Sequence, residues 1–222
     1  MTFAAIMKPK LFYFPVPKNA GTSLRQCFFE IENGWPYREM IINGKTIELF
    51  HLLATPGPFQ PAPEWDGFLK IAVVRDPISR LISVYKNRVQ HYREISTADF
   101  TSYNIPTSLP KNPDLNTFID GLLEYRKIPT IAHHTNTQTH FLGDNIDYYD
   151  RIFRFEQLNE IETFLSDRLG NTVKLPKLRA HGPSIESERL SSAMRDKATI
   201  YYRSDYNLLE KYYDPSPVMT HV

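Results

Sequence analysis

The 222-residue sequence has one cysteine, Cys27, so it can form no internal disulfide and suits a reducing compartment. It has no Asn-x-Ser/Thr glycosylation sequon, which points the same way. No apolar run reaches the roughly 20 residues that a membrane-spanning helix needs. Met1 to Lys10 lacks the long apolar core and the small-residue cleavage site of a secretory leader. A cytoplasmic protein with no membrane span is therefore expected. Charge of one sign is lacking too. Lys and Arg total 26 against 25 Asp and Glu, a formal net charge of +1, which argues against a general nucleic-acid binder but leaves room for a local basic pocket. What remains is ordinary for a soluble globular chain, with 41% hydrophobic and 23% charged residues. The length can bury a large core, and residues 1–222 are read as one domain with insertions.

The informative stretch is Leu11 to Arg25. Leu11 to Phe14 is an apolar, aromatic run suited to a buried strand. Leu24, Phe28 and Ile31 recur at i, i+4 and i+7, the period of a helix. Between them lie two prolines, Lys18, Gly21, Thr22 and Ser23. A strand, a tight loop and a helix N-terminus in that order can bind phosphate, because free N–H groups and the helix dipole favour an anion there. Gly21 would admit close approach of the main chain to a ligand. Thr22 or Ser23 would cap the helix or donate a hydroxyl, and Lys18 would add a mobile charge. The same residues also serve as plain turn and cap residues. This is not a Walker A loop, because Lys18 precedes Gly21 instead of following the last glycine. Cys27 falls inside the helix and reads as a small packed side chain.

Further along, Asn43-Gly44 between two apolar pairs signals a hairpin, and prolines 56, 58, 61 and 63 mark a surface loop over 54–66. Phe68 to Val74 reads as a central parallel strand. It runs into Arg75-Asp76-Pro77, where Asp76 suits an N-cap and Pro77 the first helical position. The next helix has an expected core stripe of Ile78, Ile82, Tyr85 and Val89, with Arg80, Ser83 and Asn87 on another face. Arg75 thus stands at a strand's carboxyl end, where open α/β sheets bind ligands.

Residues 96–116 turn polar and proline-bearing, an acceptor-side loop insertion read as a candidate substrate lid or as a disordered insertion. Phe118 to Lys127 reads as a helix. His133, His134 and His140 invite a zinc site, but no Cys or carboxylate completes a set at recognised spacing. Polar lining of an acceptor groove, or plain loop surface, is the expected use of this segment. Arg151 to Phe155 reads as a strand. Asn159 with Glu162 suggests a capping box for a helix that ends at Gly170. The basic segment 174–183 would close over an anion or stay solvated. Helices around 188–197 and 204–213 end the chain, their tyrosines read as packing.

The two elements Pro17-Lys18-Asn19-Ala20-Gly21-Thr22-Ser23-Leu24 and Val74-Arg75-Asp76-Pro77-Ile78-Ser79-Arg80-Leu81-Ile82-Ser83-Val84-Tyr85 resemble a known pair. They look like the 5′-phosphosulfate loop and the 3′-phosphate motif of sulfotransferases that use 3′-phosphoadenylyl sulfate (PAPS). The likeness is greatest to carbohydrate sulfotransferases of the heparan 2-O and chondroitin type. The resemblance implies an α/β, P-loop-like three-layer fold with a central parallel sheet flanked by helices. It implies that the amides of Lys18, Asn19, Ala20, Gly21, Thr22, Ser23 and Leu24, with the Thr22 and Ser23 hydroxyls, cradle the 5′-phosphosulfate. Arg75 and Ser83 would hold the 3′-phosphate.

The donor would be PAPS, the product adenosine 3′,5′-bisphosphate (PAP), and the acceptor a hydroxyl of a saccharide or small glycoside. No metal is expected, because Lys18 would neutralise the oxygen bridging sulfur and phosphorus. His51, between the motifs, is the expected base, with His133, His134 and Glu48 as reserves; a hydrogen-bonded core histidine is the other use of His51. The membrane anchor of the Golgi relatives is not seen here, and Arg179-Ala180-His181-Gly182 replaces their asparagine-bearing segment. The rival readings are a nucleoside or nucleotide kinase with a divergent phosphate loop, and a non-catalytic module of the same scaffold.

Overall fold

The computed structural model describes residues 4–47, 57–61, 63–176 and 190–215. The chain forms two compact units, one of residues 1–75 with 138–180 and one of 76–137 with 181–222.

The first unit is built on a four-stranded sheet in the order β1 (Ala4–Ile6), β2 (Leu11–Phe14), β5 (Leu69–Val74), β6 (Arg151–Arg154). β2, β5 and β6 run parallel, while β1 pairs antiparallel with β2, Ile6 opposite Leu11. The sheet is therefore mixed, and the expectation of a purely parallel one is corrected at its edge. The reason is chain length, since only four residues join β1 to β2 and a parallel neighbour needs a long crossover.

Alternation along the strands explains why β2 and β5 read as unbroken apolar runs. Leu11, Tyr13, Ile71, Val73 and Phe153 meet Leu24, Cys27 and Phe28 of α1 (Gly21–Asn33) and Ile161 and Leu165 of a second helix (Leu158–Leu169) in one core. The intervening residues face the other way. Phe12 stacks on Trp65 at 4.7 Å between centroids, and Phe14 meets the edges of Tyr148 and Tyr149 at 5.6 and 5.0 Å. The foreseen hairpin forms as β3 (Met40–Ile42) and β4 (Lys45–Ile47), with Asn43 and Gly44 both at positive φ, the geometry such two-residue turns need.

The capping box at Asn159 does not form. A 3₁₀ turn (Phe155–Gln157) feeds straight into the helix, so Asn159 is its second residue and no side chain caps it. Glu162 instead accepts from Lys174 Nζ at 2.8 Å and Leu175 N at 2.9 Å. Gly170 ends this helix in the left-handed conformation, as expected.

The second unit, among its described residues, is helical. α2 (Pro77–Val84) starts as foreseen, with Asp76 accepting from Ser79 N at 2.7 Å and Pro77 at the first position. It continues as a π-helical turn (Tyr85–His91). The buried stripe is Ile78, Leu81, Val84, Tyr85 and Val89; Ile82 is half-buried because Leu81 and Val84, three and six positions after Ile78, take the core face.

Residues 96–116 are tied down by Tyr85 OH to Pro113 O (3.1 Å), Tyr125 OH to Pro110 O (2.7 Å) and Lys111 Nζ to Ala98 O (3.1 Å). The helix expected over 118–127 is two, Leu115–Asp120 and Leu122–Tyr125, broken at Gly121. His133 and His134 lie in a helix (Pro129–Thr135) and His140 in another (Gln138–Leu142), where a loop was one of the expectations. The carbonyl end of the former is closed by cations, which suits the helix dipole. Arg80 donates to His134 O at 3.1 Å and to Asn136 O, while Arg126 donates to Ala132 O at 3.1 Å.

Candidate active site

The turn after β2 carries the first candidate residues. Asn19 N–H donates to Val16 O at 3.2 Å, and the residues on either side of it, Lys18 (φ 71°) and Ala20 (φ 60°), are left-handed. Neither is glycine, so each holds about 1–2 kcal/mol of backbone strain, and such strain collects at functional sites. Turns of this kind gather N–H groups into an anion-binding concavity.

α1 begins at Gly21, and its first internal bond is Leu24 N to Ala20 O at 3.0 Å. The expected cap by Thr22 or Ser23 is absent; Ala20 holds the cap position and has no oxygen to offer. The N–H groups of Gly21, Thr22 and Ser23 therefore have no acceptor among the described residues, in the first turn where a helix leaves donors over. A β-carbon at Gly21 would meet Val16 O at 3.6 Å and Tyr13 Oη at 3.8 Å, ordinary contact distances. The packing itself does not demand glycine there. Leu24 is fully buried in the core and its N–H is spent on Ala20 O, so the expected Leu24 amide donor is not open to a ligand.

The second motif meets this turn through Arg75. Its Nη1 donates to Lys18 O at 3.0 Å, and its guanidinium lies 3.9 Å from the centroid of Phe155. Asn19 is fully buried and acts inward, donating Nδ2 to Val73 O at 2.8 Å and to Gln138 Oε1 at 2.7 Å. Its side chain is structural and its N–H is engaged by Val16 O, so the expected Asn19 amide donor is spent within the turn.

Gln138, also fully buried, accepts Arg75 N–H at 3.0 Å and donates to Arg75 O at 2.7 Å. Sequence reasoning missed Gln138. It stands 119 residues from Asn19 and 63 from Arg75, and no periodicity or motif links them. The one available signal was a glutamine inside the polar segment 133–140.

Two buried groups lie under the turn. Tyr13 is sealed in the core, and burial pushes its phenol well above the ordinary tyrosine range. Arg25, one turn into α1, is 8% exposed, and its Nε and Nη2 have no hydrogen-bond partner among the described residues. Burial lowers its pKa and the neighbouring Tyr13 opposes that. Cys27 is buried, its thiol pushed up to about 12 by burial first and by Glu30 and Glu162 after it. A thiol so raised carries no thiolate at neutral pH, so Cys27 is packing.

In the second unit, Ser83 is a half-buried residue of α2. Arg80, on the same helix, is fully buried and spent on the helix carbonyls described above. His134 Nδ1 lies 2.9 Å from Thr130 O and its Nε2 2.7 Å from Arg88 Nη2. Those partners assign a proton to Nδ1 and make Nε2 the acceptor, so the nitrogen a base would use is already occupied. His51 and Glu48 lie outside the described residues, as do 177–183 of the basic segment. Among the described residues no group of His, Cys, Asp or Glu is arranged to hold a metal ion, and no helix is long and apolar enough to cross a membrane.

A family profile described as "Sulfotransferase family" matches residues 2–214. No curated protein and no solved structure gives a significant match.

Proposed function

For a chain that belongs to the sulfotransferase family, we propose that the sulfuryl donor is PAPS and the acceptor a hydroxyl of a saccharide or small glycoside. Family membership supports sulfuryl transfer in general. The single observation that carries the donor assignment is the contact between Arg75 and Lys18, 57 residues apart in the chain and 3.0 Å apart as a hydrogen bond. It ties Arg75 to the turn that bears Lys18 within one unit.

The residues present fit such a ligand. Three helix-start N–H groups with no acceptor among the described residues, at a strained turn, suit the 5′-phosphosulfate. Arg75, planar and backed by Phe155, suits the 3′-phosphate as a bidentate donor. Ser83 is assigned to the same phosphate by the motif alone. The donor, when bound, supplies an activated sulfuryl group whose leaving oxygen gains charge. Lys18 neutralises that charge, and the loop amides hold the departing bisphosphate in place, so positioning and fixed charge carry the rate. His51 takes the acceptor's proton. A reducing, cytoplasmic setting is proposed on the single cysteine.

The test has two arms. Saturating PAP at about 100 times its Kd should add about 2.7 kcal/mol of stability, roughly 5–10 °C in Tm for a chain of this size. Labelled PAPS offered with a panel of saccharides should then give a sulfated product. A Tm unmoved by PAP overturns the donor, and PAP binding without transfer to any hydroxyl overturns the acceptor class.

A further inference from the structure

Gln138 makes three of the hydrogen bonds that join the turn after β2 to the end of β5, and no side chain other than an amide can make all three. Its oxygen accepts twice, from Asn19 Nδ2 (2.7 Å) and Arg75 N–H (3.0 Å), while its nitrogen donates to Arg75 O (2.7 Å). Asn19 passes the tie to the neighbouring strand residue through Val73 O at 2.8 Å. Both amide side chains are fully buried, so water cannot substitute for a lost partner, and each bond is expensive to leave unmade. The backbone of Arg75 is thus clamped on both its N–H and its C=O, one residue beyond a strand end that would otherwise fray.

We infer that Gln138 is a positioning residue that fixes the spacing between the 5′-phosphosulfate turn and the Arg75 guanidinium, and so makes the two ends of the donor bind as one. This rests on the donor reading above. A ligand with two phosphates gains over one with a single phosphate only if the second grip is already in place when the first is filled, because the second contact is then intramolecular. Slack of about 1 Å between the grips forfeits that gain while leaving each grip usable on its own. Gln138 touches neither phosphate. It acts through Arg75 and Asn19.

The measurement is calorimetric titration of PAP and of adenosine 5′-phosphate, which lacks the 3′-phosphate, into wild type and Gln138→Met. Methionine keeps the chain length and volume and removes all three bonds. The expected result is a PAP Kd raised at least tenfold with the adenosine 5′-phosphate Kd changed less than threefold, so that the preference for PAP collapses. A PAP preference equal to wild type, whether both affinities hold or both fall together, overturns the inference and leaves Gln138 a packing residue. If Gln138→Met does not fold, Asn19→Ala cuts the same tie from the other side while leaving both Arg75 bonds in place. It too should lower the preference, and an unchanged preference overturns the inference. A wild type that binds no PAP removes the donor reading itself and this inference with it, and is told apart by the first titration.

Discussion

The two arginines of one motif, five residues apart, should fail in opposite ways, and Arg80→Met is the sharper half of that comparison. Arg80 has no exposed surface. Its guanidinium donates to His134 O at 3.1 Å and to Asn136 O, and it lies over the Tyr202 ring at 5.5 Å from the centroid. Methionine fills most of the volume but leaves two partly buried carbonyls at a helix end without that donor. Hydrogen bonds from a charged donor are each worth about 1.5–3 kcal/mol, and the contact with the ring adds about 1 kcal/mol. Removing a charged partner from a buried site costs about 3–5 kcal/mol in comparable cases, and that is the loss expected here. For a chain of this length the Tm should fall on the order of 10 °C. The assay is thermal unfolding, paired with PAP titration well below the transition. Folded Arg80→Met should bind PAP within about threefold of wild type, whereas Arg75→Ala should lose about 10- to 100-fold through one charge-assisted contact, with a smaller fall in Tm from losing one bond to Lys18 O and the Phe155 contact. An Arg80→Met protein that melts like wild type yet loses PAP would refute the assignment of that arginine to the helix end.

Lys18→Ala should lower kcat by at least about 100-fold with a smaller change in PAP affinity, since its charge matters most as the leaving oxygen gains charge; an unchanged kcat removes it from the mechanism. Asp76→Ala removes both the cap on Ser79 N and the acceptor of Tyr206 OH at 3.1 Å. It should cost about 2 kcal/mol, and Asp76→Asn, which keeps an accepting oxygen, should cost visibly less in urea unfolding. Cys27 should ignore a thiol reagent at pH 8 in native protein and react fully in denaturant, and stoichiometric labelling of the folded chain would contradict its burial. Because folding raises that thiol to about 12, its contribution to stability is complete below the ordinary thiol range and is lost as pH climbs towards 12. Cys27→Ala should therefore flatten part of the alkaline fall in stability.

Much of the first unit could be read from local chemistry. β2 spans Leu11–Phe14 as expected, and the Asn43-Gly44 hairpin, the Asp76 cap with Pro77, and the Gly170 stop form where the residues place them. Each depends on neighbours within a few positions, so a short window holds the information. The same holds for the motif pair that identified the family. Where short windows failed, a competing geometry won. A 3₁₀ turn took Asn159 into its helix, and Leu81 with Val84 took the core face expected of Ile82.

What the sequence determined by itself is the chemistry on offer, namely a strand-to-helix turn with lysine and a strand-end arginine in a family-specific pattern. What only the tertiary structure decided is which of those groups are spent on the protein. Asn19 reads as a loop residue and is a buried strut; Arg80 reads as part of one helix face and closes another helix; Gln138 reads as one of a polar segment and ties Asn19 to Arg75. The reason is the cost of burial. An amide or guanidinium inside the core must find partners, and parallel strands brought together by long crossovers supply them from dozens of residues away, a distance over which sequence spacing carries no signal.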